Sequence, residues 1–192
     1  METTIHTYKL KPGLFIAEKE LVITPEFIEY KNSNNSSVKI GKSSFKDVKY
    51  LGDWIALYRF NLGYNYRIEI KYEDDKVLPI SFVGYSNYKK VGTTYTDISK
   101  WIGKYFLSDI IHARLSEVSN KGGMQINDLV IKNEGLEWQN TLQLLPWQQV
   151  GLQEYHQYFV VFNKSNSNEY RRFSFVEWNS EILFNVLKAL AE

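Results

Sequence analysis

The amino-acid sequence predicts a mainly β fold with α-helices, divided into two similar units that each end in an amphipathic helix. Three observations predict it. A twelve-residue segment occurs twice, several stretches alternate between apolar and polar residues, and two segments repeat apolar residues at helical spacing. The chain has 192 residues, which is enough for two such units of about 100 residues each.

The internal repeat defines the two units. Residues 21–32 (LVITPEFIEYKN) and residues 129–140 (LVIKNEGLEWQN) are identical at six of twelve positions, with an offset of 108 residues. This offset is too long for a solenoid repeat and indicates a duplicated domain. We therefore expect one domain over residues 1–120 and a shorter one over residues 124–192. The identical pairs are Leu21/Leu129, Val22/Val130, Ile23/Ile131, Glu26/Glu134, Glu29/Glu137 and Asn32/Asn140.

Alternating apolar residues predict the strands, and turn residues predict their ends. In the first unit, two strands within residues 14–32 are joined at Thr24-Pro25-Glu26, and further strands follow with a hairpin turn at Glu73-Asp74-Asp75. In the second unit, turns are expected at Asn133-Glu134-Gly135 and at Ser165–Asn168. The other predicted strands are 43–52, 54–63, 64–75 and 77–84 in the first unit, and 124–138 (two strands), 141–152 (two strands), 155–164 and 169–175 in the second.

Two helices are expected, one at the end of each unit. Thr94 and Asp97 have the spacing of a capping box, and they predict a helix over about residues 95–119. The segment Asn120–Gly123 then stops the helix and links the units. Asn179 is the expected cap of a second helix, over about residues 179–191.

Composition excludes several classes of protein. The formal net charge is +1, so no generic attraction to nucleic acid or to an anionic membrane is expected. The absence of cysteine excludes disulfides and thiolate chemistry. The first residues lack the pattern of a signal peptide, and no apolar run is long enough to span a bilayer. A cytoplasmic protein without a cofactor is therefore expected.

The second unit resembles bacterial pleckstrin-homology (PH)-like domains. Residues 129–152 have the order of a strand, a glycine turn, a strand and a W-x-x-V segment, here Gly135, Leu136, Trp147 and Val150. The EYRRFSF strand (169–175) and the helix after Asn179 complete the pattern. The resemblance implies two β-sandwich or barrel domains, each capped at one open end by its C-terminal helix.

The same resemblance implies binding rather than catalysis. PH-like domains bind proteins, peptides or lipid headgroups and have no common catalytic apparatus. The basic loop with which some of them bind phosphoinositides has no counterpart here, because the loops at Thr24–Glu26 and Asn133–Gly135 are acidic or neutral. Fold alone does not define function.

Candidate catalytic and metal-binding residues are sparse. His6, His112 and His156 have no metal-ligand spacing, and Glu73-Asp74-Asp75 is more typical of a hairpin turn than of a cation loop. Ser108, Asp109 and His112 lie on one face of the first predicted helix, where a nucleophile, base and orienting group cannot converge. No catalytic, cofactor or metal residue is therefore assigned.

Basic and aromatic residues supply the weaker binding candidates. The lysines that could form an anion-binding patch are Lys39, Lys42, Lys46, Lys49, Lys89 and Lys90. Scattered lysines also protect the edge strands of soluble sheets against aggregation. Arg171 and Arg172 point to opposite faces of a strand and cannot form a joint clamp. Trp101 and Tyr105 fit core packing under a helix better than a stacking platform.

Three functions remain open. The first is a non-enzymatic module that binds a protein or peptide, with a groove between strand 155–163 and helix 180–190. The second is a peripheral membrane or lipid-headgroup binder, which near-neutral charge disfavours. The third is an enzyme or a small-ligand carrier with a barrel cavity lined by aromatic residues. Association of two copies through sheet edges is also left open.

Overall fold

The computed structural model describes residues 4–34, 36–138 and 143–191. Strands make up 49% and helices 30% of it, and the strands form four antiparallel sheets. The prediction of a mainly β fold with helices is confirmed. The chain divides into two compact units, residues 1–108 and residues 109–192. Asn140, the last identical residue of the repeat, lies outside the described residues, as do Thr141 and Leu142 at the start of a predicted strand.

Unit 1 contains seven strands followed by a helix. Strands β1 to β4 form one meander, and β5 to β7 form a second. A 3₁₀ turn, Lys42–Ser44, joins the two sheets. The amide of Val83 donates to the carbonyl of Lys11 at 3.0 Å, which ties the outer edge of β7 to the end of β1. The elements are β1 (His6–Leu10), β2 (Lys19–Ile23), β3 (Phe27–Lys31), β4 (Ser37–Gly41), β5 (Phe45–Leu57), β6 (Phe60–Tyr72), β7 (Lys76–Gly84) and α1 (Tyr88–Ile102).

A π-helical segment, Gly103–Leu107, continues α1 and leads into α2 (Ser108–Lys121). Gly122 follows with a φ of 75°, the left-handed conformation with which glycine ends many helices. The predicted stop at Asn120–Gly123 is therefore confirmed.

The core of unit 1 follows the period-two pattern of its strands. Alternate residues point to one face of a sheet, so Ile68, Ile70 and Ile80 lie fully buried between the layers. From the helix, Ile102 and Phe106 join them, and the Phe106 ring lies 5.3 Å from that of Phe45. Each such side chain contributes about 1.5–3 kcal/mol by leaving water.

Unit 2 repeats this order of elements. Strands β8 to β11 form a four-stranded sheet, a 3₁₀ turn (Trp147–Gln149) follows, and β12 to β14 form a three-stranded sheet before the last helix. The Trp147 ring nitrogen donates to the carbonyls of Lys132 and Asn133 and so holds the turn between β9 and β10. The elements are β8 (Gly123–Ile126), β9 (Leu129–Lys132), β10 (Gly135–Trp138), β11 (Leu144–Pro146), β12 (Val150–Glu154), β13 (Tyr158–Asn163), β14 (Asn166–Ser174) and α3 (Ser180–Ala191).

The repeat preserves buried positions of the first sheet. Leu21 and Ile23 on β2, like Leu129 and Ile131 on β9, are completely buried. Further along the chain, sequence similarity aligns FKDV (45–48) with WQQV (147–150), but the structure gives a different equivalence. Phe45 and Val150 are the equivalent residues, because each begins the fifth strand of its unit directly after the 3₁₀ turn.

The first helix starts earlier than predicted. It begins at Tyr88, so Thr94 lies inside it and is not its cap. Gly92 lies inside this helix, where a side chain would meet the Tyr66 hydroxyl at 2.7 Å. Asp97 accepts a hydrogen bond from the Tyr8 hydroxyl at 2.5 Å instead of capping the helix. Burial, and then this carboxylate, raise the pKa of Tyr8 above its usual range.

Strands β5 and β6 form one long hairpin where several shorter segments were predicted. The chain reverses at Tyr58-Arg59, within predicted strand 54–63, and the two strands pair from Phe45 opposite Tyr72 to Leu57 opposite Phe60. Tyr58-Arg59 contains none of the residues that mark a two-residue hairpin turn, so the sequence pattern missed it. The turn at Glu73-Asp74-Asp75 is confirmed, as a 3₁₀ turn.

The last hairpin turns at Lys164-Ser165, which overlaps only the first residue of the predicted loop Ser165–Asn168. Asn163 pairs with Asn166 across Lys164-Ser165, and β14 begins at Asn166. The amides of Asn163 and Asn166 both donate to the Glu169 carboxylate, which lowers the pKa of Glu169. These polar side chains pair inside the hairpin, although their composition is typical of a loop. The helix expected after Asn179 is confirmed as Ser180–Ala191.

Candidate functional site

Strand β12 forms one edge of the second sheet in unit 2. The strand order is β12-β13-β14, so β12 pairs with β13 on one side. No strand within residues 143–191 pairs with its other side. Helix α3 lies beside this open edge, since Phe184 and Lys188 line the same pocket as residues of β12. An edge strand of this kind can accept an additional strand.

The register shows which backbone groups of β12 point to the open edge. The amide of Lys164 donates to the carbonyl of Gln149 at 2.8 Å, and the amide of Tyr155 donates to the carbonyl of Tyr158 at 2.9 Å. Hydrogen-bonded pairs alternate along an antiparallel ladder, so the odd-numbered residues of β12 bond to β13. The residues that direct backbone groups outward are therefore Val150, Leu152 and Glu154, and of these the Val150 amide already donates to the carbonyl of Trp147 in the 3₁₀ turn.

A pocket of about 360 Å³ lies between this edge and α3. It is open to solvent along one side. Its size matches a few side chains of an extended peptide, and it lies at the low end of the range for small-molecule sites. The lining residues are Val150, Leu152, Glu154, Lys164, Phe184, Lys188 and Ala191.

Phe184 anchors the apolar wall of the pocket to the core of unit 2. Its ring lies 5.2 Å from Phe159 and 5.7 Å from Phe175, and Phe159 lies 5.2 Å from Phe173. Phe159 is completely buried, and Phe184 is 9% exposed. The wall is therefore part of a packed aromatic cluster, which favours a preformed rather than an induced pocket.

Charged residues surround the apolar part of the pocket. Lys164 and Lys188 lie on its rim with exposed side chains, and Glu154 lies at the end of β12. Two cations and one anion make the rim net positive. An extended ligand with apolar side chains and an acidic group fits this arrangement best.

The structure places this groove one strand away from the predicted one. The sequence suggested strand 155–163, which contains β13, but β13 is the central strand of its sheet. Its apolar run is buried, with Phe159 and Val161 fully covered. Two sequence features could have identified β12 as the edge strand. It is short, and it ends in the polar residues Gln153-Glu154, and both features are typical of edge strands.

The six lysines predicted as a binding patch fall into separate groups. Lys46 lies at the start of β5, 3.3 Å from Asp75, and Lys49 lies 3.5 Å from Glu69. Lys39 and Lys42 lie on β4 and in the turn after it, where Lys39 is 3.8 Å from the centre of the Phe27 ring. Lys89 and Lys90 lie in the first turn of α1, which follows the far end of β7. The six lysines are thus distributed over β4, the turn after it, β5 and α1.

Ser108, Asp109 and His112 all lie on α2. The Ser108 hydroxyl donates to the carbonyl of Lys104, one turn earlier in the same helix, at 2.7 Å. His112 and Asp109 have exposed side chains. Within the described ranges, no group of three His, Asp or Glu residues is arranged to hold a metal ion.

His6 and Trp101 form an aromatic stack in unit 1, with ring centroids 3.8 Å apart. His6 also lies 3.3 Å from the Tyr105 hydroxyl, and the Tyr105 ring stacks on Trp101 at 5.3 Å. Trp101 and Tyr105 therefore pack α1 and its π-helical continuation against β1, as a packing role for these residues predicts.

Comparison with known proteins gave no match to a family model, to a curated protein or to a solved structure. In the part of the chain that the structure describes, no helix has the length and apolar character required to cross a bilayer.

Proposed function

We propose that this chain is a tandem PH-like protein whose second unit binds an extended peptide segment of a partner protein, without catalysis. The support for the family is the order of elements. Each unit has a four-stranded meander, a 3₁₀ turn, a three-stranded meander and then a helix. The residues that suggested the resemblance are structural, since Leu136 and Val150 are buried and Trp147 bonds to the turn before Gly135.

The open edge of β12 is the observation on which the proposed function rests. A peptide that adds to this edge would bond to the amides and carbonyls of Leu152 and Glu154 and to the carbonyl of Val150. Alternate side chains of the peptide would then enter the pocket against Phe184 and Ala191. The backbone bonds supply affinity for an extended chain, and the pocket selects its side chains.

The rim favours a particular class of peptide. An acidic residue next to the apolar one would lie near Lys164 and Lys188, which the structure places on the same pocket. Exposed ion pairs contribute little affinity, about 0–1 kcal/mol each, but they select among partners and increase the association rate. We therefore expect ligands that alternate apolar and acidic residues.

Selection from a displayed library of random linear peptides against the full chain tests the proposal. Enriched peptides should contain the alternating apolar and acidic pattern. Two variants should weaken them by roughly tenfold or more, equivalent to about 1.4 kcal/mol. Leu152→Arg fills the pocket, and Glu154→Pro removes an outward amide without removing a bond to β13.

Tyr170→Ser is the matched control, because Tyr170 is an exposed aromatic residue on β14 and does not line the pocket. It should leave peptide affinity unchanged. A library that yields no binder above background would refute the proposal, as would peptides that bind the Leu152→Arg variant as tightly as the natural chain.

A further inference from the structure

Two segments of unit 1 expose large apolar side chains, and together we call them the apolar tip. They are the loop Leu14–Ile16 between β1 and β2, and the end of the β5–β6 hairpin, Trp54–Leu62. Phe15 is 100% exposed, Tyr58 96% and Phe60 74%. Eight of the fourteen large apolar side chains that are exposed in the described residues belong to these two segments. Such clustering marks an interaction surface rather than scattered surface residues.

Both segments start from the same corner of unit 1. Strand β6 pairs with β7 only as far as Tyr64 opposite Gly84, so the hairpin continues past the end of β7 as two strands alone. The carbonyl of Lys11, just before the β1–β2 loop, accepts a hydrogen bond from the amide of Val83 next to Gly84. The loop therefore leaves the sheet within two strand spacings of the hairpin, about 10 Å.

The turn at the end of the hairpin is chemically unusual. Tyr58 has a φ of 54° in a turn where glycine, asparagine or aspartate is preferred. This conformation costs a tyrosine about 1 kcal/mol or more. Because Tyr58 is almost completely exposed, packing within the chain does not offset this cost. A tyrosine at this position is therefore better explained by an interaction with another molecule than by the stability of the fold.

Basic residues surround the apolar tip. The Trp54 ring lies 5.6 Å from that of Tyr88, which places the first turn of α1 beside the hairpin. Residues 11–19, 53–63 and 88–90 contain five basic and two acidic side chains. The basic ones are Lys11, Lys19, Arg59, Lys89 and Lys90, and the acidic ones are Glu18 and Asp53. The whole chain is nearly neutral, but this end of unit 1 is positive.

We propose that unit 1 docks on anionic lipid membranes by inserting the apolar tip into the interfacial region of the bilayer. Two convex segments would need two matching pockets on a protein partner, whereas a fluid interface accommodates both. Tryptophan and tyrosine are the residues that membrane–water interfaces favour. The surrounding lysines and Arg59 complement the negative surface of an anionic leaflet. The low overall charge that disfavoured membranes in the sequence does not describe this local surface.

Vesicle flotation of the full chain tests the proposal, with vesicles of phosphatidylcholine alone or mixed equally with phosphatidylserine. The chain should float with the mixed vesicles. The double variant Tyr58→Ser with Phe60→Ser should have a partition coefficient at least roughly tenfold lower. The transfer of even one large apolar side chain out of water contributes about 1.5–3 kcal/mol, which corresponds to such a factor. Tyr170→Ser, an exposed ring of unit 2, should change nothing. Both altered sites are exposed, and circular dichroism establishes that the variants fold.

Charge reversal separates the electrostatic part of the interaction. Lys89→Glu with Lys90→Glu should weaken binding to the mixed vesicles severalfold and reduce the dependence of binding on phosphatidylserine. Brominated lipids should quench tryptophan fluorescence in the natural chain and quench it less in the Trp54→Phe variant.

Three results would overturn the proposal. The chain could fail to float with the mixed vesicles, or the double tip variant could float as well as the natural chain. The third result is that the apolar tip forms a contact between copies of the chain. The natural chain would then self-associate in sedimentation velocity without binding vesicles, and the tip variant would be monomeric.

Discussion

Gly135 is the position at which one methyl group should damage unit 2 most. It lies on β10 opposite Pro146 of β11. A Cβ atom added there would lie 2.2 Å from the carbonyl oxygen of Leu145 and 2.9 Å from the Cα of Pro146. Both neighbours are backbone atoms, so no side-chain rotation relieves the contact. The substitution Gly135→Ala must move one strand away from the other.

The expected magnitude follows from this displacement. Ordinary contact begins at 3.4 Å, so β11 must shift by roughly 1 Å in a close-packed region. Overpacking of this kind costs about 1–3 kcal/mol. Among the described residues, the β10–β11 ladder joins three residue pairs, and weakening it adds about 1 kcal/mol per hydrogen bond lost. We expect a total loss of about 2–4 kcal/mol in the free energy of unfolding.

Gly103→Ala adds the same methyl group where it has room and serves as the control. Gly103 has helical angles (φ −55°, ψ −51°), and nothing lies within 4 Å of its added Cβ. Alanine there should stabilise by up to about 1 kcal/mol. Urea titration followed by tryptophan fluorescence measures both changes, and hydrogen exchange should be faster in β10 and β11 only for Gly135→Ala. A Gly135→Ala variant within about 0.5 kcal/mol of the natural chain would refute this steric reasoning.

Two further substitutions test buried polar groups. Ser180 is completely buried, and its hydroxyl has no hydrogen-bond partner. Ser180→Ala should therefore leave the free energy of unfolding unchanged or raise it by about 1 kcal/mol. A loss above about 1 kcal/mol in urea titration would show that the hydroxyl does have a partner. Burial raises the pKa of Tyr30 from 10.0 to about 12. The neutral hydroxyl therefore contributes stability below pH 10, and this contribution is lost as the pH rises from 10 to about 12. Tyr30→Phe should flatten the fall of the unfolding midpoint in this window, and equal slopes for the two proteins would count against it.

Local turn chemistry predicted several boundaries well. Pro25 and Gly135 mark hairpins that the structure contains between β2 and β3 and between β9 and β10. The apolar stripe after Asn179 predicted α3 almost to the residue. These patterns depend on residues that are close in sequence, so they can be recognised without knowledge of the tertiary structure.

The missed features depend on contacts between distant residues. Thr94 and Asp97 suggested the helix start, but the helix begins at Tyr88, and Gly92 allows the Tyr66 ring to approach α1. Tyr58 looked like a strand residue, but it forms the hairpin turn. The groove was placed one strand away because a continuous apolar run, such as that of β13, does not reveal which strand is at the edge. Sheet order requires the long-range register, which single residues do not specify.

The unequal length of the equivalent hairpins has a consequence for how the two halves of the chain can diverge. Strands β5 and β6 have 13 residues each, whereas β12 and β13 have five and six. Residues inserted in matched pairs near a hairpin turn leave the register below them unchanged, so lengthening does not disturb the buried core. One of two similar units can therefore carry an additional exposed surface that the other unit lacks. In such a chain, a change in the exposed end of the hairpin can alter function without altering the residues that maintain the fold.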